Sequence, residues 1–171
     1  MEIWNLYTAE RQPTGRTMVR GDKHPEGCYN IGVYVWIRNP DGKYLISQRA
    51  ACKASYPLCW ETVGGCVTAG ETSLEGAVRE VREEVGIVVD ASRLKLICSL
   101  FEPRWNGRTL QEIDDVYLYE MDEEYDAVNA KSDEVAQSKW MTREEIRQLF
   151  DQGELVDALA YFFTEIDVGE M

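Results

Sequence analysis

Apolar positions recur at helical spacing most clearly in one segment, where Leu74, Ala77, Val78, Val81 and Val85 fall on a single face. Thr72 and Glu75 form a capping box at its start, and Gly86 stands where a left-handed cap would end it. Elsewhere the pattern shortens to runs rich in β-branched and aromatic residues. These predict strands over 3–7, 30–38, 43–49, 60–63, 87–89, 94–101, 115–121 and 136–141. Asn39-Pro40-Asp41-Gly42 and Asn106-Gly107 supply turns between neighbours. Thr142 with Glu145 repeats the capping box ahead of two closing helices, 143–152 and 155–166. Strands interleaved with helices predict an α/β (α+β) sandwich. No repeat, low-complexity tract or linker divides 1–171, so one domain is expected.

Composition narrows the class. Of the 171 residues, 44% are hydrophobic and 29% charged, an ordinary globular balance that excludes a disordered or collagen-like chain and a coiled coil. No apolar run approaches the ~18 residues of a membrane span. The opening Met1-Glu2-Ile3-Trp4-Asn5 has no basic region followed by an apolar core, so a cytoplasmic protein is expected. Eighteen Lys and Arg against 31 Asp and Glu give a net charge of −13 with no basic stripe. Duplex nucleic acid and anionic membranes are thereby poor partners. A phosphorylated small molecule fits if bound cations carry the positive charge. Five cysteines without Cys-x-x-Cys spacing, and His24 as the one histidine, argue against a zinc site or a disulfide framework.

The chemistry concentrates in residues 64–87, GGCVTAGETSLEGAVREVREEVGI. Glu80, Glu83 and Glu84 are spaced i, i+3, i+4, which places them together on the helix, on the side away from the apolar stripe. Like charges at this spacing repel. Arg79 can pair with Glu83, and hard oxygen ligands without histidine or thiolate favour Mg²⁺, with Mn²⁺ as the second choice. A solvated acidic face is the alternative. Gly64 and Gly65, just before the helix, let backbone approach a ligand or metal closely.

Gly65, Glu71, Arg79, Glu80, Val81, Glu83, Glu84, Gly86 and Ile87 reproduce without a gap the G-x5-E-x7-R-E-U-x-E-E-x-G-U signature of the Nudix hydrolases, where U is aliphatic. Seven of those positions demand one residue type, which makes a chance match on the order of 10⁻⁸ per start point. The resemblance implies an α/β/α sandwich with a mixed sheet between helices, its core over 30–165 and residues 1–29 packed on it as an extension. It implies that Glu80, Glu83, Glu84 and the Gly64 carbonyl hold Mg²⁺. Arg79 would orient these carboxylates, and Glu71 would support the loop or a metal-bound water. The implied reaction is attack by water on a nucleoside diphosphate linked to a moiety X, or on a related small-molecule diphosphate. Glu80 is the first choice as general base, with Glu112, Asp114 and Asp115 as alternatives on a loop that could swing over the site.

Gln48-Arg49-Ala50-Ala51-Cys52-Lys53, with Tyr56-Pro57 and Trp60, resembles the isopentenyl-diphosphate isomerase-like branch, in which an Arg and a Lys four residues apart bind the diphosphate. That assigns Arg49 and Lys53 to the substrate. The N-terminal run, with Arg16 and Arg20, resembles the same branch. The isomerases' Cys-Gly-His is replaced here by Gly64-Gly65-Cys66, and Asn30 stands where a metal-binding histidine would be. Hydrolysis is therefore expected over isomerisation, and a non-catalytic ligand-sensing module is the third alternative. Trp4, Tyr29, Tyr34, Trp105 and Tyr117 are candidate pocket aromatics. Trp105, beside Asn106-Gly107, is also a candidate homodimer contact.

Overall fold

The computed structural model describes residues 1–123, 125–126 and 132–166. Two antiparallel strands, β1 (Ile3–Tyr7) and β2 (Pro13–Val19), form a small sheet of their own. Its inner face buries Trp4, Leu6 and Met18 with Cys28, and Cys66 packs against them. This hairpin is bound to the rest through Tyr7 and Tyr29, which exchange backbone hydrogen bonds of 2.8 and 2.9 Å.

The main sheet begins with β3 (Asn30–Arg38) and β4 (Tyr44–Arg49), followed by the short β5 (Trp60–Glu61) and β6 (Val63–Cys66). Helix α1 (Ser73–Val85) comes next, then β7 (Lys95–Phe101) and the ribbon β8 (Arg104–Trp105) with β9 (Arg108–Thr109). The chain returns through β10 (Glu112–Glu120) and β11 (Val135–Met141) to helix α2 (Arg143–Asp151). The order across the sheet is β11-β4-β3-β10-β7, with β5 paired to β4 and β6 to β3. β10 runs parallel to β3 with Glu112 opposite Asn30 and Asp114 opposite Gly32, and the other pairings are antiparallel. The sheet is therefore mixed, as expected.

Both faces are covered. Val33, Val35 and Ile37 of β3 pack with Ala77, Val81 and Val85 of α1 in one core. On the opposite face Trp36, Tyr44 and Ile46 pack with Ile146 of α2 and Phe162, and Trp36 stacks on Phe162 at 4.2 Å between ring centres. Both capping boxes form. The Thr72 hydroxyl accepts from Glu75 N at 3.2 Å and the Glu75 carboxylate from Thr72 N at 2.8 Å, and Thr142 with Glu145 repeats the arrangement. Gly86 closes α1 at φ 71°, a left-handed conformation that glycine adopts without steric cost.

Four expectations change. β2 was not predicted, because only Met18 of its seven residues is buried. Residues 87–89 form no strand: Ile87 and Val89 enter the α1 core while Val88 is exposed, an alternation without a pairing partner. The 60–63 run is split at Thr62, whose hydroxyl donates to Val35 O at 2.7 Å, so its two halves join different strands. The helix expected over 155–166 is a 3₁₀ turn, Asp157–Tyr161, followed by one π turn, Phe162–Ile166. Its start is held extended by Trp60, which donates to Glu154 O at 2.7 Å and accepts from Val156 N at 3.0 Å.

Candidate active site

β6 lies beside α1, and Gly65 allows the approach. A Cβ on Gly65 would overlap the Glu80 carboxylate, and one on Gly64 would stand 2.7 Å from the Tyr34 ring. Gly76 on the helix is almost as tight, with Val67 at 3.1 Å from an added Cβ. Side chains at Gly65 or Gly76 would drive the helix away from the strand, and one at Gly64 would press on β3 instead. Gly65 is thus what lets the Glu80 carboxylate lie on strand backbone.

Arg79 organises those carboxylates. Its guanidinium grips Glu71 with two hydrogen bonds, 2.7 and 3.0 Å, and reaches Glu80 at 2.7 Å and Glu83 at 3.2 Å. A fourth partner is the Cys66 carbonyl at 3.0 Å, which ties helix to strand. The Arg79 hydrogen bonds hold the Glu71 carboxyl below its ordinary range despite partial burial. Burial pushes Glu80 up, against the pull of Arg79.

The three box carboxylates do not share one environment, as helix spacing suggested. Glu83 faces solvent with 60% of its side chain exposed, whereas Glu80 is 12% exposed. Glu80 and Glu84 occupy the flank of α1 that turns toward β6. Glu84 is pushed well above the usual carboxylate range by burial, and the nearby charges of Glu61 and Glu80 add to the effect. Its one opposing contact is Gly64 N–H at 3.4 Å. Glu61 went unnoticed in the sequence, although it stands three residues before Gly64. Among the described residues no three acidic, His or Cys side chains converge as a ready metal cage. Mg²⁺ is usually held by one or two carboxylates, waters and substrate phosphates, so Glu80, Glu84 and the Gly64 carbonyl suit it without such a cage.

These groups form one wall of a cleft of about 840 Å³. Arg49 and Lys53 line it, each already engaged. Arg49 pairs with Glu61 at 2.7 Å, donates to Ser55 O at 3.0 Å and lies over the Trp105 ring at 5.3 Å. Lys53 pairs with Glu134 at 2.6 Å. Of the candidate aromatics, Trp4, Tyr34 and Trp105 line the cleft and Tyr29 and Tyr117 do not. Trp105 is half-buried, with Tyr56 edge-on at 5.0 Å. Arg20 reaches the cleft and pairs with Glu2 at 2.9 Å, whereas Arg16 points to Cys28.

The alternative bases are not on a mobile loop, since all three belong to β10 and alternate across the sheet. Glu112 and Asp114 face the cleft. Glu112 accepts from Asn30 Nδ2 at 2.7 Å and Cys66 Sγ at 3.3 Å, and the Asn30 carbonyl meets His24 at 2.7 Å. Asp115 faces the α1 side, where Arg11, Ser73 and Ser99 hydrogen-bond it, which removes it as a base in the cleft.

The family model for the NUDIX domain matches residues 29–161. The Nudix hydrolase lmo0368 of Listeria monocytogenes is 33% identical over 164 residues, covering 95% of this chain and 91% of the relative. The crystal structure of DR0079 from Deinococcus radiodurans superposes with a TM-score of 0.72 at 24% identity, covering 90% of this chain and 91% of that one. A bifunctional NMN adenylyltransferase/ADP ribose pyrophosphatase of Francisella tularensis, solved with AMP and a Mn ion, matches with a TM-score of 0.58 at 21% identity, over 75% of this chain and 38% of its own.

Proposed function

Since this chain belongs to the Nudix hydrolase family, we propose that it is a Mg²⁺-dependent hydrolase that cleaves the diphosphate linkage of a nucleoside diphosphate joined to a moiety X, or of a related small molecule. The observation that carries the reading is Glu84. It is a half-buried carboxylate beside Glu61 and Glu80 with no cation against it among the described residues. A folded protein retains such a charge cluster at a cost, and a bound divalent ion removes that cost.

Glu80, Glu84 and the Gly64 carbonyl would hold Mg²⁺, with the exposed Glu83 completing the set from the rim. When bound there the ion neutralises diphosphate charge and sharpens a water as nucleophile. The chain's own residues do the rest. Arg79, fixed by Glu71 and the Cys66 carbonyl, sets the position of Glu80 and Glu83. Glu80 takes the proton of the attacking water at its carboxylate, which lies over Gly65 at the cleft wall. Water adds to one phosphorus, the bridging P–O bond breaks, and the leaving phosphate carries away the electron pair. Arg49 and Lys53 contact the diphosphate, which takes a share of the hydrogen bonds now given to Glu61 and Glu134.

Isomerase chemistry fits less well. The position matching the isomerase cysteine is Gly64, where a side chain would collide with Tyr34 and Val33 O. The test is a coupled phosphate-release screen with Mg²⁺ or Mn²⁺. It starts from ADP-ribose, as the Francisella neighbour suggests, and includes nucleotide sugars, nucleoside triphosphates and isoprenoid diphosphates. Turnover of one class that disappears in Glu84→Gln supports hydrolysis. Silence across the panel from a folded, Mg²⁺-binding protein supports the sensing alternative.

A further inference from the structure

The cleft carries nine carboxylates against four Lys and Arg side chains, and each of those cations is already paired. Arg20 holds Glu2, Arg49 holds Glu61, Lys53 holds Glu134, and Arg79 holds Glu80 and Glu83. Apart from the exposed Asp133, the surplus of acid sits in two places. One is Glu84, on the wall read above as the metal and diphosphate side. The other is the β10 wall, with Glu112 and Asp114.

These two β10 residues differ. Glu112 receives the Asn30 amide and the Cys66 thiol. Asp114 is 3% exposed, opens into the cleft, and among the described residues has no hydrogen-bond donor or cation against it. The opposite strand makes room for it, because any Cβ at Gly32 would overlap the Asp114 carboxylate. The half-buried Tyr34 and Tyr161, 6.1 Å apart between ring centres, lie within its electrostatic reach, and Tyr34 also lines the cleft. A buried carboxylate without a donor is costly unless a ligand supplies one. An ammonium group suits such a carboxylate, since it brings both a positive charge and N–H donors.

We propose that Asp114, backed by Glu112 and Tyr34, is a subsite for an alkylammonium group, so that the preferred ligand carries its diphosphate toward Gly64 and Glu84 and a positively charged amine against β10. This rests on the hydrolase reading for the placement of the diphosphate. The negative field at β10 orients such a ligand with its amine toward that wall, and Asp114 gives the amine an end-on partner. A neutral ligand of the same size leaves Asp114 without a donor.

The test uses two phosphate monoesters, which contain no anhydride to cleave. O-phosphoethanolamine and glycerol 3-phosphate are titrated calorimetrically into the protein in Mg²⁺ buffer. The expected result is at least a tenfold tighter Kd for phosphoethanolamine, a preference that falls to near unity in Asp114→Asn and partly returns in Asp114→Glu. Equal affinity for the two probes in the wild type overturns the proposal, absence of binding by both included, and needs no variant to be read. So does a preference that Asp114→Asn keeps, or a drop in bound Mg²⁺ stoichiometry in Asp114→Asn without any ammonium preference, which makes Asp114 a metal ligand instead. Ammonium preference without turnover of any diphosphate overturns the hydrolase reading alone. Turnover without ammonium preference overturns this subsite alone.

Discussion

Asp114 and Asp115 are neighbours on β10, both buried, and the sheet sends them to opposite faces. Asp115 meets a completed shell: two bonds from the Arg11 guanidinium and one each from Ser73 and Ser99. Burial alone would raise its pKa, but those hydrogen bonds and the Arg11 charge hold it below the ordinary aspartate value. Asp114 meets no donor among the described residues, and burial, with Glu112 and Asp115 nearby, pushes it well above that value. Glu71 and Glu84 repeat the contrast on the α1 side, one gripped by Arg79 and the other without a cation among the described residues. Carboxylates that the fold satisfies hold the structure together. Those it leaves unsatisfied face the cleft, where a ligand must complete them.

Removing an unsatisfied carboxylate should then harm function and spare the fold. Glu84→Gln is expected to lower kcat/KM by about 10³-fold, ~4 kcal/mol of barrier, while thermal unfolding without metal shifts upward or stays in place. A loss of activity accompanied by a large drop in Tm would break the contrast, because Glu84 would then be a structural residue. Its counterpart is Asp115→Asn. Loss of charge-assisted bonds at a buried site should cost about 2 kcal/mol, and Tm should fall by roughly 4–8 °C for a chain of this size.

The pH dependence separates the two neighbours by sign. Asp115 has its folded pKa below the unfolded one, so its stabilisation is present above the ordinary value near ~4 and is lost as pH falls through the folded pKa. The wild-type advantage over Asp115→Asn should shrink on acidification, read as denaturant midpoints from neutral pH downward. Asp114 is raised, so the folded protein keeps a proton that the unfolded chain has released. That contribution declines as pH rises from the ordinary value through the folded one. Asp114→Asn should therefore remove a decline rather than a support, and a lower midpoint for this variant at neutral pH would contradict the account. The smallest effect is a reference far from either carboxylate. Thr72→Ala removes the α1 cap and should cost about 1 kcal/mol.

What was legible in the sequence follows the same division. The residues from Gly65 to Ile87 carry their chemistry at fixed spacing along one loop and one helix, so Arg79 with its glutamates could be read directly. The strands of the central sheet were legible from their apolar runs. The β10 wall was not, because nothing in Asp114-Asp115 says which one faces the cleft until Gly32 is known to lie opposite Asp114. Glu61 is similar, since its place beside Arg49 and Glu84 depends on Thr62 breaking the strand. The π turn Phe162–Ile166 escaped for a different reason. Its apolar spacing suits a helix, and only the backbone bonds from Trp60 to residues 154 and 156 hold the chain extended just before it.

The most direct measurement is the initial rate of diphosphate cleavage as Mg²⁺ is titrated, with wild type and Glu84→Gln side by side on the best substrate from the screen. The account predicts a rate that rises from baseline and saturates in the wild type and stays near baseline in the variant. Turnover that ignores Mg²⁺, or that Glu84→Gln retains, would contradict it.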